Sequence, residues 1–211
     1  MIRLYKTPWL LKKLMAGYYT WHRDGQGKKL YLTFDDGPIP EVTPWVLEQL
    51  ANYKAKATFF CVGDNLAKHP EVARQIVGQG HVLANHTFNH LKGWQTELHP
   101  YLQNTEKCQA VLGQFQPAGQ KKLFRPPYGR ITRAQAAELQ QEYELIMWDV
   151  LTNDYDNTLS PEKCLQKAIK YTQSGSIIVF HDSLKAKRNL MYALPPFLKH
   201  FTGLGYTFET L

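Results

Sequence analysis

Two adjacent carboxylates at the end of an apolar run are the first residues of the chain that could do chemistry. Leu30-Tyr31-Leu32 leads into Thr33-Phe34-Asp35-Asp36-Gly37-Pro38, a pattern that predicts a buried strand stopped by a Gly-Pro turn. Two anions side by side repel each other and lose hydration where a strand end buries them. A cation bound by one carboxylate would relieve that cost, and an ordinary Asp-rich turn is the alternative interpretation.

A pair of histidines offers further metal ligands. His86 and His90 are four residues apart, so on a helical turn both imidazoles would lie on one face. Such a pair alone is more often incidental than metal-binding. With a strand-end aspartate, however, it supplies three ligands and leaves coordination positions for water, as in hydrolytic metal sites. We therefore predict one divalent metal ion, zinc first, with cobalt, nickel or manganese as alternatives.

The elements that must position these groups alternate along the chain. Short runs that are apolar throughout are followed by helix-sized segments, which indicates a parallel sheet. Seven such units fit a closed, TIM-like barrel or an open doubly wound sheet. The predicted strands span residues 30–34, 57–62, 81–84, 122–124, 145–148, 176–180 and 206–208. The predicted helices span residues 41–53, 70–79, 96–115, 132–141, 160–171 and 191–201.

Polar residues at the strand ends favour the barrel. In a parallel α/β fold the carboxyl ends of the strands share one face, where active sites are built. Residues far apart in the sequence therefore converge there. The polar residues that follow strands one, three, four, five and six are Asp35 and Asp36, His86 and His90, Arg125, Asp154, and His181.

Three of these stretches resemble, in order, the motifs of a known family. Thr33-Phe34-Asp35-Asp36-Gly37-Pro38, His86-Thr87-Phe88-Asn89-His90 and Arg125-Pro126-Pro127-Tyr128 look like the first three motifs of the NodB-homology polysaccharide deacetylases, carbohydrate esterase family 4. The similarity covers residues 29–211. It implies a single-domain α/β fold, a distorted TIM-like (β/α)7 barrel, that removes N-acetyl groups from polymers of N-acetylglucosamine. Some members of the family instead cleave O-acetyl esters of xylan.

The resemblance also implies a role for each of these residues. Metal, base, acid and oxyanion hole are the four functions that such a hydrolase needs. By similarity, the metal ligands are Asp36, His86 and His90. The implied catalytic residues are Asp35 as general base, Arg125 to fix Asp35, the backbone N–H of Tyr128 in an oxyanion hole, His181 as general acid, and Asp154 to support His181.

The fourth motif departs from the family pattern. Leu151 stands where its first aspartate is usually found, and Tyr155 replaces a tryptophan. The register that we favour keeps Asp154 as the carboxylate that supports His181. In the other register that carboxylate is Asp149.

The residues expected to contact the substrate are mostly aromatic. Val179 stands where the fifth motif usually has leucine, and with Tyr155 it would line the acetyl-binding pocket. Trp94, Phe88 and Tyr128 are candidates for stacking on sugar rings, with ordinary packing as the alternative. The expected partner is an acetylated carbohydrate.

Composition narrows the class of protein further. The 211 residues fit one domain with a full core. The net charge of +7 is interpreted as lysines exposed to solvent, and no motif supports a nucleic-acid partner. Cys61, Cys108 and Cys164 are odd in number and lack metal-type spacing, so they are predicted to be buried free thiols.

Residues 1–28 are predicted to form an N-terminal extension packed on the domain. Pro8-Trp9-Leu10-Leu11 is an apolar patch broken at once by Lys12 and Lys13, too short for a signal-peptide core or a bilayer span. An interfacial amphipathic helix is the alternative to a surface helix packed on the domain. A polar turn is expected at residues 24–27. We expect a cytoplasmic chain, monomer favoured, with export left open if the natural N-terminus differs.

The leading functional hypothesis is a metal-dependent amide hydrolase acting on N-acetylated amino sugars of chitin-oligosaccharide or peptidoglycan type. An O-acetyl xylan esterase using the same residues is the nearer alternative. A pseudoenzyme that binds carbohydrate without turning it over is an alternative from a different class.

Overall fold

The computed structural model describes residues 3–23, 27–117 and 119–211, so most of the predicted polar turn at 24–27 lies outside the described residues. The described residues form eight strands and eight α-helices that largely alternate, with short 3₁₀ turns at Gly93–Gln95 and Pro127–Gly129. The strands are β1 Lys29–Asp35, β2 Ala57–Cys61, β3 Val82–Asn85, β4 Leu123–Phe124, β5 Glu144–Leu145, β6 Val150–Leu151, β7 Ile177–His181 and β8 Thr207–Phe208. The helices are α1 Trp9–Leu14, α2 Thr43–Asn52, α3 Gly63–Lys68, α4 Pro70–Gly78, α5 Leu98–Leu112, α6 Arg133–Leu139, α7 Pro161–Tyr171 and α8 Lys187–Gly203.

The strands form one parallel sheet in the order β5-β4-β3-β2-β1-β7-β6, and β8 pairs with the start of β1. The sheet curls into the barrel-like α/β fold predicted from the strand pattern. Register brings the site together, because Asp35 at the end of β1 lies opposite His181 on β7 and Phe60 on β2. The carboxyl ends of the longest strands therefore meet at one edge.

Strands that are apolar on both faces pack against a core on each side of the sheet. On β2, Phe59 packs in the main cluster with the helices, while Phe60 belongs to a second cluster inside the curled sheet, since consecutive strand residues point to opposite faces. Phe34 stacks between Phe59 and Phe180, with ring centroids 5.0 Å and 6.2 Å away. These rings hold β1, β2 and β7 in the register that the site requires.

The N-terminal segment lies across the open side of the sheet. Lys6 forms an antiparallel bridge to Val150 beside β6, and Thr20 forms a parallel bridge to Ile146 just after β5. Backbone hydrogen bonds from Thr7 to Asp149 and from Thr20 to Leu145 continue these contacts. The segment thereby joins the two edge strands of the sheet.

Three details differ from the sequence-based expectation. Of the predicted strand 145–148, only Leu145 lies in a strand, β5, and a separate strand, β6, follows at Val150–Leu151. Between them the Met147 N–H donates to the carbonyl of Thr20 and the Asp149 N–H to that of Ile177. Helix α3 was not predicted, since its six residues bury only Gly63 and Leu66 and give no periodic apolar pattern. Helix α8 begins earlier than predicted and runs through Pro195 and Pro196.

The prediction for the cysteines is confirmed. Cys61, Cys108 and Cys164 are buried and free. Among the described residues, no helix is both long enough and apolar enough to cross a bilayer.

Candidate active site

The turn after β1 places the two aspartates differently. Asp35 is the last strand residue and is buried, whereas Asp36 has a left-handed φ of 85°, a conformation that aspartate tolerates better than most residues. Gly37 follows because a Cβ there would lie 2.0 Å from Asp182 Oδ2. The chain therefore reverses immediately after presenting both carboxylates.

Asp182 is a residue of this site that the sequence analysis missed. Its buried carboxylate accepts hydrogen bonds from the backbone N–H of Gly37 (3.0 Å) and the hydroxyl of Thr43 (2.6 Å). Burial raises the pKa of Asp182 to about 7, against the hydrogen bond from Thr43 and with the help of the Asp36 charge. The available signal was a charged residue directly after the apolar strand that ends in His181.

Asp36, His86 and His90 form a cluster that suits a metal ion. One potential ligand atom from each lies within 4.8 Å of the other two. Asp36 Oδ1 is 3.3 Å from His90 Nε2 and 3.9 Å from His86 Nε2. One carboxylate and two imidazoles are the donor set of many catalytic divalent-metal sites.

The two histidines meet through a tight loop, so the predicted helical turn is wrong. Thr87 and His90 both have left-handed φ angles, of 62° and 55°, which no α-helix contains. Asn85 Oδ1 accepts a hydrogen bond from the N–H of Thr87, and Asn104 Oδ1 accepts hydrogen bonds from the two following N–H groups. Side chains thus fix a loop that the i, i+4 spacing alone does not reveal.

The protonation of His86 suits a ligand. Its Nδ1 lies 2.7 Å from the carbonyl oxygen of Arg125, and since a carbonyl only accepts, Nδ1 carries the proton and Nε2 presents its lone pair to the cluster. Burial lowers the pKa of His86 to about 4 despite the nearby Asp35 charge. The imidazole is therefore neutral at pH 7, as metal ligation requires.

Asp36 is the anionic member of the cluster. Burial alone would raise its pKa, but the hydrogen bond from His90 and the nearby His181 and His86 hold the pKa of Asp36 well below its ordinary value. The carboxylate is therefore ionised across the neutral range. Together with His86 and His90, it fits a divalent cation.

Arg125 holds Asp35 from beneath. The guanidinium is fully buried, donates to Asp35 Oδ1 (2.6 Å) and Thr33 Oγ1 (2.7 Å), and lies 4.0 Å from the centre of the Phe60 ring. A second guanidinium nitrogen donates to the carbonyl of Met147 (3.1 Å). A buried charge of this kind persists because it is paired and hydrogen-bonded, so the position of Asp35 is closely defined.

His181 and Asp154 form the second ion pair of the site. His181 Nδ1 lies 2.7 Å from Asp154 Oδ1, and its backbone N–H donates to Asp154 Oδ2 (2.8 Å). Burial alone would lower the pKa of His181, but Asp154, with smaller contributions from Asp36 and Asp35, raises it to about 9. His181 is therefore a cation at pH 7.

The alternative register is excluded by the contacts of Asp149. Its buried carboxylate binds Lys6 (2.7 Å), Lys12 and the hydroxyl of Ser176 (2.5 Å), at the start of β7. His181 lies at the other end of that strand. Asp154 is thus the carboxylate beside His181, whereas Asp149 anchors the N-terminal segment.

Tyr128 lies next to the metal-ligand cluster. Its φ of 60° interrupts the 3₁₀ turn, and its half-exposed ring lies 4.6 Å from the His90 ring. Gly129 follows with a φ of 64°, and a Cβ there would lie 2.5 Å from Trp148. Trp148 therefore packs directly under this turn.

The predicted substrate contacts divide into exposed and buried residues. The Tyr155 ring lies 4.9 Å from the His181 ring, and Trp94 is 64% exposed. Phe88 instead belongs to the main core and contacts Gly63, so the prediction that it stacks on a sugar is wrong and ordinary packing explains it. Val179 has no exposed surface and lies beneath the site, so it offers an acetyl group no direct contact.

The sequence is similar to those of known deacetylases. The profile of the polysaccharide deacetylase family matches residues 22–145. A peptidoglycan-N-acetylglucosamine deacetylase of Bacillus cereus is 33% identical over 214 residues, which covers 96% of each chain. A chitooligosaccharide deacetylase of Azorhizobium caulinodans is 34% identical over 159 residues, or 72% of this chain and 73% of that one.

Structural comparison gives the same family. The crystal structure of a peptidoglycan N-acetylglucosamine deacetylase, in complex with a substituted benzamide, superposes with a TM-score of 0.87 at 28% identity and covers 97% of this chain and 95% of that one. A family 4 carbohydrate-esterase pseudoenzyme from Bacillus anthracis also shares the fold, with a TM-score of 0.80 at 22% identity over 90% of this chain and 66% of that one. Likeness of fold alone therefore does not establish turnover. The sequence match and the fold together show that the chain belongs to the polysaccharide deacetylase family.

Proposed function

We propose that this chain is a metal-dependent hydrolase that releases acetate from N-acetylglucosamine units of peptidoglycan-type polymers or chitin-type oligosaccharides. The observation that carries the proposal is the pairing of Asp35 with His181 across β1 and β7, beside the cluster containing Asp36. A base, an acid and a set of metal ligands thus share one strand edge. The named relatives support the choice of an N-acetyl amino sugar.

The metal would be held by Asp36, His86 and His90. When bound, a divalent cation of this kind polarises the acetyl carbonyl and lowers the pKa of a bound water. Zinc suits two imidazoles and one carboxylate, and cobalt, nickel and manganese accept the same donors. The Arg125 carbonyl keeps His86 Nε2 facing the cluster.

Asp35 serves as the general base. Arg125 holds its Oδ1 at 2.6 Å, which fixes the carboxylate at the strand end beside the metal ligands. A positioned carboxylate can take the proton of the attacking water as the carbon–oxygen bond forms. Arg125 acts through Asp35 and touches no reacting atom, so it is a positioning residue.

His181 serves as the general acid, on β7 across from Asp35 on β1. An amine leaves poorly unless it is protonated, and the pKa of about 9 keeps His181 charged at neutral pH. Asp154 holds the imidazole through Nδ1, which leaves Nε2 to donate its proton to the departing nitrogen. The backbone N–H of Tyr128 would donate to the oxyanion.

The exposed aromatic residues give the substrate a surface to lie on. Tyr128 is 53% exposed and Trp94 is 64% exposed, and flat rings of this kind suit the apolar faces of sugars. Trp94 is held in place because its indole N–H donates to the carbonyl of Ile131 (3.0 Å). Sugar stacking at these two rings is part of the proposal.

A substrate panel with metal reconstitution tests the proposal. Acetate release would be measured on N-acetylglucosamine oligomers, peptidoglycan and acetylated xylan, before and after chelation and after addition of Zn²⁺, Co²⁺, Ni²⁺ or Mn²⁺. We expect turnover of the amino-sugar substrates that is lost on chelation and restored by a metal. Turnover of xylan alone would assign an O-acetyl esterase, and binding of oligomers without turnover would assign a pseudoenzyme.

A further inference from the structure

Helix α1 carries its apolar side chains on the outside. Trp9, Leu10 and Leu14 are 68%, 57% and 71% exposed. The one residue of α1 that is not exposed is Lys12, whose ammonium binds the buried carboxylate of Asp149. Surface helices ordinarily bury their apolar side and expose their lysines. In α1 the apolar side chains are exposed and Lys12 faces the protein instead.

A fourth apolar residue of the helix is also exposed. Leu11 is 42% exposed, so every apolar side chain of α1 faces outward. Single exposed apolar residues are normal, whereas contiguous ones mark an interaction site. We call this surface the α1 patch; it consists of Trp9, Leu10, Leu11 and Leu14.

The charge around the α1 patch is positive. Residues 1–23 contain five basic residues and no acidic residue. Lys6 and Lys12 share the single carboxylate of Asp149, and Lys13 lies 5.5 Å from the centre of the Trp9 ring. Three lysines against one carboxylate leave an excess of positive charge at the patch.

The α1 patch also lies away from the candidate active site. Asp149, which anchors α1, contacts Ile177 and Ser176 at the start of β7. His181 ends that strand four residues later, about 13 Å further along at the usual strand rise. A large surface could therefore cover the patch and leave the strand edge with Asp35 and His181 open.

We infer that the α1 patch binds the surface of an anionic lipid bilayer. Exposed leucines would enter the boundary between headgroups and acyl chains, Trp9 would lie at headgroup level, and Lys13 would face anionic lipids. Lipid is favoured over a protein partner because the patch combines apolar side chains with unbalanced positive charge on a short outward-facing helix. The inference does not depend on the proposed hydrolase activity.

Flotation with lipid vesicles tests this inference. The full chain would be mixed with vesicles of phosphatidylcholine alone, or of phosphatidylcholine with roughly 30% phosphatidylglycerol, which gives a surface potential that attracts basic segments. Both kinds of vesicle would be used at low and at high salt. We expect flotation with the anionic vesicles that weakens with salt. The double variant L10S/L14S should reduce binding by roughly tenfold or more, since it removes two insertable side chains. K13E should reduce it by about tenfold, because one attraction becomes a repulsion.

Leu204→Ser is the matched control, because this leucine is 49% exposed at the end of α8. It should float like the unaltered chain, and every variant should keep its thermal midpoint. Equal binding to neutral and anionic vesicles, or full binding by L10S/L14S, would overturn the inference. An absence of vesicle binding would also overturn it. A dimer detected by sedimentation velocity and dissociated by L10S/L14S would then show that a second copy of the chain occupies the patch.

Discussion

Two residues of one type, next to each other in the chain, have different environments and therefore different proposed tasks. Asp35 is buried on Arg125, while Asp36 lies beside His86 and His90. The environment of a carboxylate, more than its identity, decides whether it binds a cation or moves a proton. Substitution of each aspartate by asparagine should therefore give different defects.

Asp35→Asn should keep its metal and lose turnover. Removal of a general base lowers kcat by roughly 10²–10⁴-fold, whereas the ligands Asp36, His86 and His90 are untouched. Deacetylation kinetics on an N-acetylglucosamine oligomer, with metal content measured on the same sample, check this prediction. Asp36→Asn is the matched comparison and should lose metal as well as activity. Near-normal kcat in Asp35→Asn would place the base elsewhere.

The pH dependence of turnover should report His181. The pKa of His181 is raised to about 9, so the acid is fully protonated at pH 7 and is lost as pH rises through about 9. Above that pH, kcat/KM should fall about tenfold per pH unit. Asp154→Asn removes the charge that raises the pKa, and burial then lowers it, so the falling limb should move to lower pH. Profiles of kcat/KM against pH, at constant metal loading, measure the falling limb in the unaltered chain and in Asp154→Asn.

The control for that shift is Asp156→Asn, two residues along the same loop. Asp156 pairs with Arg3 at the surface (2.6 Å) and makes no contact with the His181 ring among the described hydrogen bonds. Its profile should match that of the unaltered enzyme. A limb that stays at the same pH in Asp154→Asn would show that another group sets it.

At the scale of residues, the functional side chains were predictable from the sequence where they lie close together in the chain. Asp35 and Asp36 are adjacent, and His86 and His90 are four residues apart, so their types and spacing indicate a metal site. Asp182 was missed because its partners Gly37 and Thr43 are more than a hundred residues away. Phe88 was misassigned because sequence does not show which aromatic rings the core buries.

At the scale of elements, the alternation of strands and helices was predictable because strands buried on both faces are apolar throughout. The break between β5 and β6 was not predictable, since residues 146–148 remain apolar while the Met147 N–H donates to Thr20 of the N-terminal segment. The loop from His86 to His90 was also missed, because its left-handed φ angles at Thr87 and His90 depend on backbone N–H groups that donate to the side-chain oxygens of Asn85 and Asn104.

The turn after β1 provides a test at this scale. In Gly37→Ala the new Cβ would meet the Asp182 carboxylate at 2.0 Å, so the turn must shift and both aspartates must move with it. We expect a loss of about 1–3 kcal/mol in the free energy of unfolding, the usual cost of overpacking, together with weaker metal binding. Urea denaturation and metal titration measure the two effects.

Gly78→Ala is the matched control for the turn. Gly78 lies in α4, and a Cβ there meets nothing within 4 Å. Alanine at this helical position should raise the free energy of unfolding by up to about 1 kcal/mol and leave metal binding unchanged. Equal behaviour of the two variants would mean that the Gly37 turn is not tightly packed.

At the scale of the whole molecule, the N-terminal segment completes the fold. It joins β5 to β6 through single bridges at Thr20 and Lys6, contacts that leave no periodic pattern in the sequence. The sequence therefore predicted that residues 1–28 accompany the domain, but not how they contact it. The described part of the segment is held at its centre by the buried carboxylate of Asp149 with Lys6 and Lys12.

Loss of that carboxylate should loosen the N-terminal segment without touching the active site. Asp149→Asn removes both lysine pairs and should lower the free energy of unfolding by about 1–3 kcal/mol, the cost of leaving buried polar partners unsatisfied. Lys6 and Lys12 regain some hydration on release because both are partly exposed, so we expect the lower part of that range. Hydrogen exchange should speed up over residues 5–20 before it changes at β1.

The pH dependence of stability gives a second measure of the same contact. Burial alone would raise the pKa of Asp149, but the hydrogen bonds from Lys12, Lys6 and Ser176 lower it below the ordinary value. A carboxyl whose folded pKa is depressed stabilises the fold above its unfolded pKa and loses that contribution as pH falls through the folded pKa. The unaltered chain and Asp149→Asn should therefore differ most in stability near neutral pH and converge in acid.

Asp64→Asn, which breaks an exposed pair with Lys68, should cost less than about 1 kcal/mol at any pH. A difference between Asp149→Asn and the unaltered chain that stays constant from neutral pH into acid would show that the carboxylate charge does not hold the segment.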